Sequence, residues 1–138
     1  MKPVMNTSNP SNLTVFTYTR AEALADGVLL DVSPLAREAG FRIPVALTAG
    51  LWAAYGAPDK TPASDQGTVW GALWMLRCAA IGILPAKLDR HPHGETLWFQ
   101  LELTPRGKTQ PELVLLKAIS GPGDVGEPVL TILLAHED

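Results

Sequence analysis

A single cysteine, Cys78, occurs in 138 residues, so no disulfide can form within the chain. A reduced compartment, the cytoplasm, is the expected setting. Charge is also scarce. Only 18% of residues are charged and the formal net charge is −3, which argues against a dedicated DNA binder or a DNA mimic. No apolar run reaches the ~20 residues that a bilayer requires. The longest, 69–84, is interrupted by Gly71, Arg77 and Gly82 and is expected to be a buried helix with no membrane role. Nor does an apolar stretch open the chain. Residues 1–13 are polar and rich in Asn, Ser and Pro, the composition of a flexible lead-in tail and not of a signal peptide.

What is present suits one globular domain over 14–138. Hydrophobic residues make up 46% of the chain, enough at this length to bury a core. Glycine and proline number 12 each, which keeps elements short and turns frequent. Four tryptophans add a large apolar load whose N–H groups need partners when buried.

Residues 15–18 alternate as a short strand would. Thr19 and Glu22 match a capping box, which opens a helix over 20–26 that Gly27 can stop. Ser33 and Pro34 mark a second helix start, closed by Gly40. Residues 41–47 read as extended, with Pro44 restricting them to an edge or irregular strand. Thr48 can cap a short helix through Leu51, Trp52 and Tyr55. Ser64 and Asp65 can open the main helix, where Val69, Trp70, Leu73, Leu76 and Ala80 recur at helical spacing. With Trp74 and Ile81 widening that stripe, both sides of the helix are expected to touch protein. Pro85 ends it, and 87–95 reads as a polar loop.

Beyond it, Leu97, Phe99, Leu101 and Leu103 alternate with polar residues over 96–103. Residues 113–119 are apolar on both faces apart from Lys117, and 129–134 form a last strand. Short connections favour antiparallel neighbours. The expected fold is therefore a two-layer α+β domain. It holds a three-stranded, at most four-stranded, antiparallel β-meander, one main buried helix and short N-terminal helices.

No catalytic constellation stands out, and no cofactor is implied. His91 and His93 with Glu95 could hold a divalent metal, but they match no metal-ligand spacing and read as a polar loop. Cys78 lies within the apolar helix pattern, as an inert core thiol does. The glycine-rich 121–126 segment lacks the lysine of a phosphate loop and joins two strands, so it reads as a wide turn. Arg106, Lys108 and Lys117 could touch nucleic-acid phosphate, yet they are few and sit beside one aromatic, Trp98. Charges flanked by apolar sequence are the better site candidates: Asp31, Arg37, Arg77, Lys117 and Asp124. A structural pair, such as Arg77 with Asp31 or Glu102, competes with a cleft near Asp31 and Arg77.

An ordered set of short stretches carries a wider likeness. It includes Tyr18-Thr19-Arg20, Asp26-Gly27-Val28-Leu29, Asp31-Val32-Ser33, Glu38-Ala39-Gly40-Phe41 and Leu73-Trp74-Met75. Phe99-Gln100-Leu101, Leu116-Lys117-Ala118, Gly121-Pro122-Gly123-Asp124 and Gly126-Glu127-Pro128-Val129 follow. In these the chain resembles an uncharacterised family of small bacterial proteins encoded on plasmids, phages and integrative elements. The resemblance implies a setting and no activity: an accessory protein of a mobile element, acting against host defence or in plasmid maintenance. It also makes 56–65 and 86–95 the variable loops.

Together these readings favour a non-enzymatic module that binds a host or element-encoded protein. A small-ligand or metal-dependent enzyme is the alternative, and a weak nucleic-acid binder the next. An outer strand of the meander, 129–134 above all, is the expected route to a homodimer.

Overall fold

Threonine side chains cap the starts of two helices in the computed structural model, which describes residues 18–92 and 94–137. The strand expected at 15–18 and the lead-in tail therefore fall, but for Tyr18, outside the described residues. Helix α1 (Arg20–Ala25) opens on the expected capping box: Thr19 Oγ1 accepts the Glu22 N–H and Glu22 Oε1 accepts the Thr19 N–H, both at 3.0 Å. Helix α2 (Ser33–Glu38) carries Pro34 in its first turn, and α3 (Ala49–Tyr55) starts where Thr48 Oγ1 accepts the Leu51 N–H. Helix α4 (Thr68–Ala80) is the longest, and a carboxylate two residues upstream of its N-cap secures it. Asp65, 2% exposed, accepts the N–H groups of Ala57, Gly67 and Thr68 at 3.1, 3.0 and 2.8 Å.

The strands are β1 (Leu29–Asp31), β2 (Val45–Thr48), β3 (Lys87–His91), β4 (Gly94–Leu103), β5 (Glu112–Pro122) and β6 (Pro128–Leu134). They form one six-stranded sheet in the order β1-β2-β6-β5-β4-β3, antiparallel except where β2 runs parallel to β6. The expected three- or four-stranded antiparallel meander is thus incorrect: the sheet is mixed and larger. Two causes account for the difference. The 87–95 segment, read as a loop because of its charges, is an edge strand and its turn, where Lys87, Asp89 and Arg90 discourage further pairing. The 45–48 segment, demoted by Pro44, is an interior strand. Pro44 lies just outside it, needs no N–H there, and offers its carbonyl to the Leu130 N–H at 3.0 Å. Strand β6, with β2 on one side and β5 on the other, has no free edge for a second copy; the edges are β1 and β3.

Register explains the core. Leu88, Leu97, Ala118, Ile132, Leu47 and Leu30 lie in one row across all six strands. Alternation along each strand adds Phe99, Leu101, Val114, Leu116, Leu130 and Val45 to the same face. Helix α4 packs on this face through Val69, Ala72, Leu73 and Leu76, joined by Leu35 and Ala36 of α2 and Leu51 of α3. Helix α1 lies across the opposite face, where Arg20 reaches Thr131. No helix among the described residues is long and apolar enough to cross a membrane.

Candidate functional site

The charged residues singled out from the sequence do not converge. Asp31, at the end of β1, accepts the Ser33 hydroxyl at 2.6 Å and the Ser33 N–H at 3.2 Å, which fixes the entry to α2. Arg37 is exposed in the last turn of α2. Arg77 is half-buried on α4, where its guanidinium carbon stands 5.3 Å from the centroid of the Trp74 ring. It also fills the space beside Gly40, whose φ is +105° and whose missing Cβ would lie 2.7 Å from Arg77 Nε. Neither Asp31 nor Glu102 forms an ion pair with Arg77 among the described residues.

Asp124 has a different role. Its two oxygens accept the Arg20 and Ala21 N–H groups at 2.7 and 3.0 Å, so the glycine-rich turn between β5 and β6 holds the start of α1. The central side chain there is Arg20, which sequence reasoning missed. Its guanidinium donates to Thr131 Oγ1 at 2.7 Å and to the Leu130 carbonyl at 3.0 Å. Burial lowers its pKa below the ordinary arginine value, while the carboxylates of Asp124, Asp31 and Glu127 oppose that shift. A signal was present. Arginine in the first turn opposes the helix dipole and calls for a nearby carboxylate.

The three basic residues considered for nucleic acid engage three separate partners. Arg106 donates to the Trp52 carbonyl at 2.9 Å and stacks 5.2 Å from the Trp52 ring, which fastens the β4–β5 turn to α3. Lys108 stands 3.8 Å from Glu112. Lys117 Nζ lies 5.2 Å from the ring of its cross-strand neighbour Trp98, whose indole N–H donates to Asp89 at 3.0 Å. His93 and the His91 side chain lie outside the described residues. Among those described, no three His, Cys, Asp or Glu side chains gather as metal ligands would.

What does assemble is aromatic. Trp70 and Trp74, one helical turn apart on α4, stack with centroids 6.1 Å apart and planes 17° from parallel. Arg77 covers the other end of the row. The expectation that α4 is covered on both sides holds only for its sheet-facing side. Trp74 is 43% exposed, and Ile81 and Ile83 just past the helix are 57% and 67% exposed. Cys78 is half-buried. The result is a Trp-Trp-Arg row on α4, anchored by Trp70 against the core and by Arg77 beside Gly40, with the exposed Ile81 and Ile83 just past the helix.

A second feature lies beneath the end of α4. An apolar cavity of about 280 Å³ opens there between helix and sheet. Comparison with protein-family models, curated proteins and solved structures gives no match.

Proposed function

We propose that the chain is a non-catalytic protein-binding module that engages its partner through the outward face of α4. The observation that carries this reading is the Trp70–Trp74–Arg77 stack, together with the exposed Ile81 and Ile83 that follow it in the chain. Tryptophan and arginine dominate the binding energy of protein interfaces, and a side chain already held in its bound rotamer loses less entropy on docking. Large apolar side chains left in water at adjacent positions are also what an interface presents before its partner arrives. The resemblance described above then supplies the partner class, a protein of the bacterial host or of the mobile element itself. The enzyme reading loses ground because Asp31 and Arg77 serve different neighbours. The nucleic-acid reading loses ground because Arg106, Lys108 and Lys117 are each engaged elsewhere.

The test is affinity capture from a bacterial lysate with the wild-type chain and with Trp74→Glu, followed by calorimetry on any purified pair. A protein retained by the wild type and lost by a folded Trp74→Glu variant supports the proposal. The same proteins on both baits would end it.

A further inference from the structure

The cavity under the end of α4 is a consequence of small residues meeting at one place. Along the core face of β5 the side chains shrink from Leu116 to Ala118 to Ser120, and α4 contributes Ala80 directly above. Gly94 opens β4 with its Cα so close to β5 that a Cβ would collide with the Ser120 carbonyl, and β4 lines the cavity through Glu95 and Leu97. Phe41 and Ile43 wall the cavity, Leu76 roofs it, and Leu97 forms part of the floor. Leu88, 46% exposed, stands at the mouth without closing it. The volume, about 280 Å³, lies just under the usual range for drug-sized ligands and above that of a cavity that accepts benzene.

Polar groups occur at one end only. Ser120 Oγ reaches the Glu95 carbonyl at 3.5 Å, the limit of a hydrogen bond, so the hydroxyl is free to exchange that contact for a better one. The Glu95 carboxylate is held by Arg90 at 2.6 Å, which balances its charge and leaves further lone pairs to accept. A charged ligand would lose its hydration against the apolar walls without a counter-charge. A wholly apolar one would leave Ser120 and Glu95 unanswered.

From this geometry we infer that the cavity is a binding site for a small neutral molecule. Its aryl or alkyl body would lie between Phe41, Leu76 and Leu97, and its single O–H or N–H donor would face Glu95 and Ser120. This site is separate from the outward face of α4, and either can be right without the other.

Methyl-resolved NMR titrations of the full chain with benzyl alcohol, toluene and sodium benzoate test it. Benzyl alcohol is expected to give saturable shifts at the methyls of Leu76, Leu97 and Leu130. Toluene should bind about three- to tenfold more weakly, the worth of one hydrogen bond, and benzoate not at all. Ser120→Ala should narrow the gap between benzyl alcohol and toluene, leaving only the contact with Glu95. Ala80→Trp, at an exposed helix position, should fill the mouth and abolish both. The inference is overturned if no core-face methyl shifts saturably up to the solubility limit. Shifts that persist unchanged in Ala80→Trp, or benzoate binding as well as the alcohol, overturn it too.

Discussion

At its start α4 is tied down by a carboxylate that is almost completely buried, Asp65, which holds three backbone N–H groups from two segments. The same helix, 13 residues long, ends differently. It stops at Gly82 in a left-handed conformation, leaves Ile81 and Ile83 in water, and passes over a cavity. A buried carboxylate from outside the helix holds one end, whereas the other is closed by its own backbone, with the Ile83 N–H on the Cys78 carbonyl at 2.9 Å, and carries exposed apolar side chains. A helix positioned firmly at its first turn does not need its last turn to be sealed. Apolar surface that stability alone would bury can then stay available for binding.

The comparison breaks most readily at Asp65. Asp65→Ala leaves three part-buried donors without an acceptor and is expected to cost about 2–3 kcal/mol. That loss would be read as a lower urea midpoint with an unchanged slope. Asp124→Ala removes the acceptor shared by the first two N–H groups of α1 and the nearest charge to Arg20. A smaller loss of about 1–2 kcal/mol is expected, again by urea unfolding. On the outward face of the helix the order of effects reverses. Trp74→Ala should cost stability only about 1 kcal/mol, the worth of an aromatic stack. It should weaken partner binding by about thirtyfold or more, as loss of an interface hot spot does. Should Trp74→Ala destabilise the fold as much as Asp65→Ala, the outward face would be as structural as the tied start and the contrast would fail.

The smallest expected effect concerns pH. Tyr18 donates its phenol hydrogen to Asp26 at 2.7 Å, and this bond, followed by desolvation and the Asp26 and Glu22 charges, pushes its pKa up to about 12. The folded value lies above the ordinary one, so the contribution of this contact is complete below pH 10 and disappears as pH rises through about 12. Ultraviolet titration should show a tyrosinate step near pH 12 that Tyr18→Phe removes.

Periodicity and capping chemistry are local, and what they describe was legible. The α1 capping box and the alternation of Leu97, Phe99, Leu101 and Leu103 appear where the pattern puts them, and the α4 stripe does so in part: Val69, Leu73 and Leu76 are buried, while Trp74 and Ala80 are exposed. What escaped was non-local or exceptionally short. Strand β1 has three residues, too few to show a period. Strand β3 carries edge charges that imitate a loop. The pairing of Val45 with Leu130 and the hold of Asp124 on Arg20, 104 residues away in sequence, leave no trace in any window of neighbours. The site candidates failed for a related reason. A charge between apolar residues shows that a partner is needed but not which one, and here Asp31, Asp124 and Arg106 found theirs in backbone groups or a nearby hydroxyl. Lone polar residues in apolar sequence were fair markers of order. The aromatic row on α4 was visible as residues, but its exposure was not.

The parallel pairing of β2 with β6 sets a timetable for the chain. Strand β6 is the latest of the six in sequence and stands third in the sheet, between β2 and β5. Until residues 128–134 have left the ribosome, β1 and β2 have no neighbour on their inner side, and the α2 and α3 residues that pack there have no floor. The early half of the domain must therefore wait in a partly formed state, with apolar segments open to chaperones or to mispairing, for a closing step that follows the synthesis of the other five strands. A product lacking this one strand would lose the junction of the sheet, a far larger loss than that of an edge strand.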